Sequence, residues 1–183
     1  NNAGNGDDIL HYGGGAVWID HGTMRSNYVA FVNNHAAGDG GAVWVRYSKG
    51  LFEAFKCTFS HNSAGGDGGG AISIFNSAKA IIKNSHIYKN SANSGGALNA
   101  FYGGEATILY TNIHNNDATH QGGALRIYSQ GKVTIGNCIL ANNYDIWNSN
   151  HAAIFLADTK GSKALVIYDS TIIADDDQFT NMK

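Results

Sequence analysis

Aliphatic and non-aliphatic residues alternate along this chain in one short phrase that keeps returning. Gly14-Gly15-Ala16-Val17-Trp18-Ile19 recurs as Gly40-Gly41-Ala42-Val43-Trp44-Val45 and Gly69-Gly70-Ala71-Ile72-Ser73-Ile74. Gly95-Gly96-Ala97-Leu98-Asn99-Ala100 and Gly122-Gly123-Ala124-Leu125-Arg126-Ile127 follow, and His151-Ala152-Ala153-Ile154-Phe155-Leu156 is a degenerate sixth copy. The alanines at 16, 42, 71, 97, 124 and 153 are 26, 29, 26, 27 and 29 residues apart. A near-fixed period of this size marks a solenoid, whose units bury their apolar faces only against one another. Within each phrase an aliphatic pair such as Val43 and Val45 brackets a residue that changes from copy to copy: Trp18, Trp44, Ser73, Asn99, Arg126, Phe155. Period-two alternation predicts a strand with one buried face, and the uniformly aliphatic column is the inward one.

Two further apolar stretches recur. One is Phe52-Glu53-Ala54-Phe55, Ala80-Ile81-Ile82, Ala106-Thr107-Ile108-Leu109, Val133-Thr134-Ile135 and Ala164-Leu165-Val166-Ile167. The other opens with Phe31, Phe59, Ile87, Ile113, Ile139 and Ile172 and closes on a polar residue, giving a column Asn34, Asn62, Asn90, Asn116 and Asn142. Asparagine tolerates left-handed backbone angles and bonds neighbouring backbone groups, and stacked amides form ladders. A small residue, Cys, Ser, Thr or Asn, precedes most of the openers. The pattern predicts an all-β chain: a parallel β-helix of about six coils with three short strands per coil, one domain over residues 1–183. The period-two pattern and glycine content exclude an α-helical solenoid.

Gly-Gly-Ala-(Ile/Leu/Val) paired with Phe-x-x-Asn, as in Phe31-Val32-Asn33-Asn34 and Phe59-Ser60-His61-Asn62, resembles the repeats of the chlamydial polymorphic membrane proteins and related autotransporter passengers. The resemblance spans nearly the whole chain. It implies a right-handed β-helix and a role in adhesion at the cell surface.

Composition narrows the class without naming a function. Charged residues are 14% of the chain, glycine numbers 24 and proline is absent, which suits a turn-rich extracellular β-protein. A net charge of -2 gives no argument for nucleic acid, and no apolar run reaches the ~18 residues of a membrane span. Cys57 and Cys138 fall at similar phases three coils apart, ~14 Å at ~4.8 Å per strand, beyond disulfide reach. Both read as small buried residues. Asn1-Asn2-Ala3 resembles Asn33-Asn34-His35-Ala36, so the sequence opens as if within a repeat of a longer protein. That predicts an N-terminal end open to self-association, against a C-terminal end closed by Asp175-Asp176-Asp177 and Phe179.

Candidate chemistry is sparse. Asp39 and Asp67 occupy the same place in adjacent Gly-Asp-Gly-Gly loops, where two carboxylates either share a cation or stabilise Asx turns. The eight histidines share no phase and show no metal-ligand spacing. No catalytic residue and no cofactor is assigned. The outward positions carry an aromatic track: Trp18 and Trp44, then Phe75, Phe101 and Tyr128, with Tyr47 and Tyr102 beside it. Such a track is either a packed stack or a contact surface for carbohydrate or another chain. The leading expectation is a non-enzymatic structural or adhesive module, extracellular or on the cell surface: a rigid spacer, filament unit or adhesin segment. The alternatives are a pectin-lyase-like polysaccharide lyase or hydrolase, and an ice-binding protein, for which the outward column is too irregular.

Overall fold

Each repeat folds into four strands, one more than the sequence pattern predicts. The computed structural model describes residues 2–3, 13–146, 153–157 and 164–173. Among these every strand pairs in parallel with its counterparts one repeat before and after, building four six-stranded sheets and no helix. The first sheet holds the Gly-Gly-Ala strands, Val17–Asp20, Val43–Arg46, Ile72–Phe75, Leu98–Phe101, Leu125–Tyr128 and Ile154–Ala157. The second runs from Thr23–Asn27 through Lys79–Lys83 to Leu165–Tyr168, and the third from Ala30–Val32 through His86–Tyr88 to Thr171–Ile173. The unexpected fourth sheet is made mostly of very short strands such as His35–Ala36 and Ser63–Ala64. Two residues cannot show an alternation, so in sequence they read as part of a turn. Five turns have all four strands described and a sixth has three, close to the expected six.

The inward assignment holds. Val43, Ile72, Leu98 and Leu125 share one register line, Val45, Ile74, Ala100 and Ile127 the next, and all eight are fully buried. Phe31 stacks on Phe59 with ring centroids 4.8 Å apart, and Phe52 meets Phe59 edge-on at 6.1 Å. The Gly-Gly pair does two jobs in one corner. Gly40 takes φ +68°, and a Cβ on Gly41 would fall 2.0 Å from the carbonyl oxygen of Gly70 in the next turn. Ala42, Ala71, Ala97 and Ala124 fill the inner side of that corner and are fully buried.

The asparagine ladder forms with one correction. The Nδ2 of Asn34, Asn62, Asn90 and Asn116 each donates at 2.9 Å to the Oδ1 of the next member, and the backbone N–H of each reaches the same oxygen. The last acceptor is Asn143; Asn142 is not in the ladder. Two adjacent apolar residues and two adjacent asparagines leave the phase ambiguous by one residue, and a one-residue slip exchanges inside for outside. The strand opener shifts likewise: Leu140 pairs with Ile113 and is buried, while Ile139 is 45% exposed. At the ladder corner the left-handed residue is the one before the ladder asparagine: Asn33, His61, Lys89, Asn115 and Asn142 all have φ between 51° and 56°.

A second ladder accounts for the cysteines. Backbone N–H groups run from Cys57 to Ser85 Oγ at 3.1 Å, from Ser85 to Thr111 Oγ1 at 3.2 Å, from Thr111 to Cys138 Sγ at 3.5 Å and from Cys138 to Ser170 Oγ at 3.1 Å. Both thiols are free and buried, and serve as small polar rungs in a corner. Asn2–Ala3 pairs with His35–Ala36, in the register its sequence suggested. Asp175, Asp176, Asp177 and Phe179, expected to close one end, lie outside the described residues, as do residues 4–12 at the other.

Candidate functional site

The outer face of the Gly-Gly-Ala sheet carries two columns set by the pleat. Trp18, Trp44, Ser73, Asn99, Arg126 and Phe155 are in register along the first. Asp20, Arg46, Phe75, Phe101 and Tyr128 are in register along the second.

The middle of the first column points outward and is nevertheless buried. Ser73 and Asn99 have no exposed surface, and Trp44 and Arg126 retain less than a tenth. The Gly-rich loop of the third repeat supplies part of this cover: Gly69 N–H donates to Ser73 Oγ at 2.7 Å, and Asn99 Nδ2 donates to the carbonyl of Asp67. Gly13 covers Trp44 so closely that a Cβ there would collide with the indole. Inside and outside are therefore assigned correctly from the alternation, but outward does not mean exposed.

Asp39 and Asp67 come together where these loops stack. The Asp39 side chain lies against the next loop, with Oδ1 2.6 Å from where a Cβ on Gly68 would stand. Burial, and then the Asp67 charge, push the Asp39 carboxyl up to about 6, against an opposing pull from Arg126 and Arg46. Burial lowers the Arg126 guanidinium, opposed by Asp67, Tyr128 and Asp39. Arg126 Nε donates to Gln121 Oε1 at 2.7 Å while the guanidinium lies 4.5 Å from the Tyr128 ring centre. Two acids and two arginines thus share one face. The arginines weigh against a cation between the carboxylates, and among the described residues no three His, Cys, Asp or Glu side chains gather as metal ligands.

The aromatic track is a set of clusters of unequal exposure. Trp18 and Trp44 lie 5.4 Å apart, with Arg46 over both and over Tyr47, whose hydroxyl accepts from Arg46 Nη2. His21 stacks on the same Tyr47 at 4.6 Å. Further along, Phe75 packs on Phe101 at 4.8 Å and on Tyr102 at 5.4 Å. Trp44 and Phe101 are buried in these contacts, while Trp18 at 40% and Tyr102 at 55% stay open to solvent. Sequence reasoning put Asn99 and Arg126 in the outward column without assigning them to the site, and it missed Arg46. The available signal was two arginines in neighbouring outward columns, three repeats apart.

Elsewhere the charged and aromatic groups serve one another. On the second sheet Glu105 bridges Lys79 at 2.9 Å and Lys132 at 3.3 Å, which hold its carboxyl below the usual range. A shallow cleft beside Arg25 and Glu53 is lined by that ion pair. On the third sheet Tyr88 stacks on His114 at 5.2 Å and meets His61 edge-on at 6.0 Å; burial, then His86 and Lys89, lower the His114 imidazole.

Comparison with curated proteins and with solved structures returned no match. The family model described as a right handed beta helix region matches residues 5–180, in keeping with the four parallel sheets, and the chain belongs to that family.

Proposed function

We propose that this chain is a non-enzymatic β-helix module, extracellular or at the cell surface, that contacts surface carbohydrate through the outer face of its Gly-Gly-Ala sheet. The observation that carries the reading is the gathering of Trp18, Tyr47, Phe75 and Tyr102 with Arg46, Asp39 and Asp67 on that single face. Aromatic rings meet the apolar C–H faces of sugars, and planar charged groups bond their hydroxyls. The ~4.8 Å rise per coil is close to the length of one sugar unit in an extended chain, so successive coils can address successive sugars. The resemblance to chlamydial surface-protein repeats supports the same placement. The solenoid serves as a rigid spacer that holds this face away from its anchorage. Co-sedimentation with insoluble polysaccharides tests the reading. The wild-type chain is expected to pellet with at least one, and Trp18→Ala and Tyr102→Ala to remain in solution; failure of the wild type to pellet with any glycan overturns it.

One observation favours a second reading, glycoside hydrolysis. Asp39, whose carboxyl is pushed up to about 6 by burial and by the Asp67 charge, and Asp67 beside it have the makings of an acid and base pair. Release of reducing ends from a bound glycan, lost in both Asp39→Asn and Asp67→Asn, would establish it. A bound glycan left intact returns the pair to an adhesive site.

A further inference from the structure

Three buried side-chain polar atoms on this one face have no hydrogen-bond partner among the described residues: Trp44 Nε1, Arg46 Nε and Asn99 Oδ1. Folded proteins leave few such atoms, because each forfeits its hydration without replacement, so a concentration of them asks for a cause. Two of the three are donors and one is an acceptor. Trp44 is 7% exposed and Asn99 is fully buried, and Asn99 reaches the Asp67 loop through its other amide atom. The charges around them, Asp39 and Asp67 against Arg46 and Arg126, balance.

That combination selects among ligand chemistries. A carboxylate or sulfate brings only acceptors, leaves Asn99 Oδ1 unsatisfied and meets two aspartates. An ammonium brings only donors, leaves the Trp44 and Arg46 N–H groups unsatisfied and meets two arginines. A hydroxyl both donates and accepts and carries no charge. We infer, resting on the carbohydrate-contact reading above, that this face holds a saccharide subsite selective for uncharged, hydroxyl-rich glycans. Ligand hydroxyls accept from Trp44 Nε1–H and Arg46 Nε–H and donate to Asn99 Oδ1 and to the carboxylates of Asp39 and Asp67. The exposed Trp18 and Tyr102 frame its rim. Asn99 lies under the Gly65–Gly69 loop, held by the Asn99–Asp67 and Gly69–Ser73 bonds, so full occupancy lifts the Asp67-Gly68 segment and exchanges those bonds for ligand bonds.

The test is calorimetric titration of the full chain with three probes: neutral cello- and manno-oligosaccharides, anionic oligogalacturonates and cationic chitosan oligomers. Neutral probes are expected to bind at least about tenfold more tightly than either charged class. Trp44→Phe, which keeps a ring but loses the N–H, and Asp67→Asn are each expected to weaken neutral binding about fivefold to tenfold, the effect of one lost hydrogen bond. Asp67 is exposed, so the fold of its variant is not in question. Amide exchange at residues 65–69 should change on saturation with a neutral probe. Preference for a charged probe overturns the subsite while sparing the contact surface. So does wild-type affinity in both variants when Trp18→Ala still abolishes binding. Absence of binding to all three classes overturns the subsite and the carbohydrate reading together.

Discussion

Replacing Asn90 by alanine removes the middle rung of the asparagine ladder, and the structure sets the expected cost. The Asn90 amide donates to Phe59 O at 3.0 Å, to Tyr88 O at 3.1 Å and to Asn116 Oδ1 at 2.9 Å, and its Oδ1 accepts from the backbone and side-chain nitrogens of Asn62, both at 2.9 Å. Alanine deletes all five. Asn62 Nδ2 keeps a second partner in Phe31 O, but the Asn62 backbone N–H is left facing a void. At ~1 kcal/mol net per bond, with more for a buried orphaned N–H and less than full additivity, the loss is about 3–4 kcal/mol. Asn142→Ala is the matched control. It lies outside the ladder at φ 51°, where alanine costs only the left-handed backbone penalty of ~1 kcal/mol. Equilibrium urea unfolding followed by circular dichroism gives both values, and an unchanged m-value certifies the comparison. Equal losses in the two variants, or less than about 1 kcal/mol for Asn90→Ala, would show that the amides are not acting as a ladder.

The remaining predictions concern the corner, the loop acid and the salt ladder. Ala97→Leu overpacks a fully buried inner corner and should cost ~1–3 kcal/mol in the same melts. Asp39 has its folded pKa raised from 3.8 to about 6, so the folded state binds its proton more readily than the unfolded chain. Stability is therefore lost as pH rises through that window, and Asp39→Asn should be more stable than wild type at pH 7 by on the order of 2 kcal/mol, the gap closing toward pH 4. A gap that stays constant across that range would refute the sign. Glu105→Gln should cost under ~1 kcal/mol, since both its lysine partners are largely exposed, and the cost should vanish in 1 M salt.

How much of this was legible in the sequence depended on what each residue had to signal. The inward columns were readable because Val43, Ile72, Leu98 and Leu125 repeat one chemistry in one register. Asn34, Asn62, Asn90 and Asn116 were readable for the same reason, and Asn143 was not because Asn142 stands beside it. The fourth sheet escaped notice because a strand as short as His35–Ala36 has no period. The Cys57, Ser85, Thr111, Cys138 column was visible as small residues before each strand, but its ladder role needs the backbone N–H geometry. At the candidate site the sequence brought out Asp39, Asp67 and the aromatic residues, each by its phase. It did not reveal that a loop of one repeat covers the outward column of its neighbours, because that contact joins positions with no common period. Asn99 was legible as an outward position, but its burial on that face follows from this cover and not from any period.

The most direct measurement of the central claim is a nuclear magnetic resonance titration of the tryptophan indole N–H signals with a neutral oligosaccharide, the Trp18 and Trp44 signals assigned from single Trp→Phe variants. The account predicts that both signals move together and saturate, the Trp44 signal shifting downfield as its unpartnered N–H gains an acceptor. Indole signals that stay in place through millimolar concentrations of neutral, anionic and cationic oligosaccharides alike would contradict it.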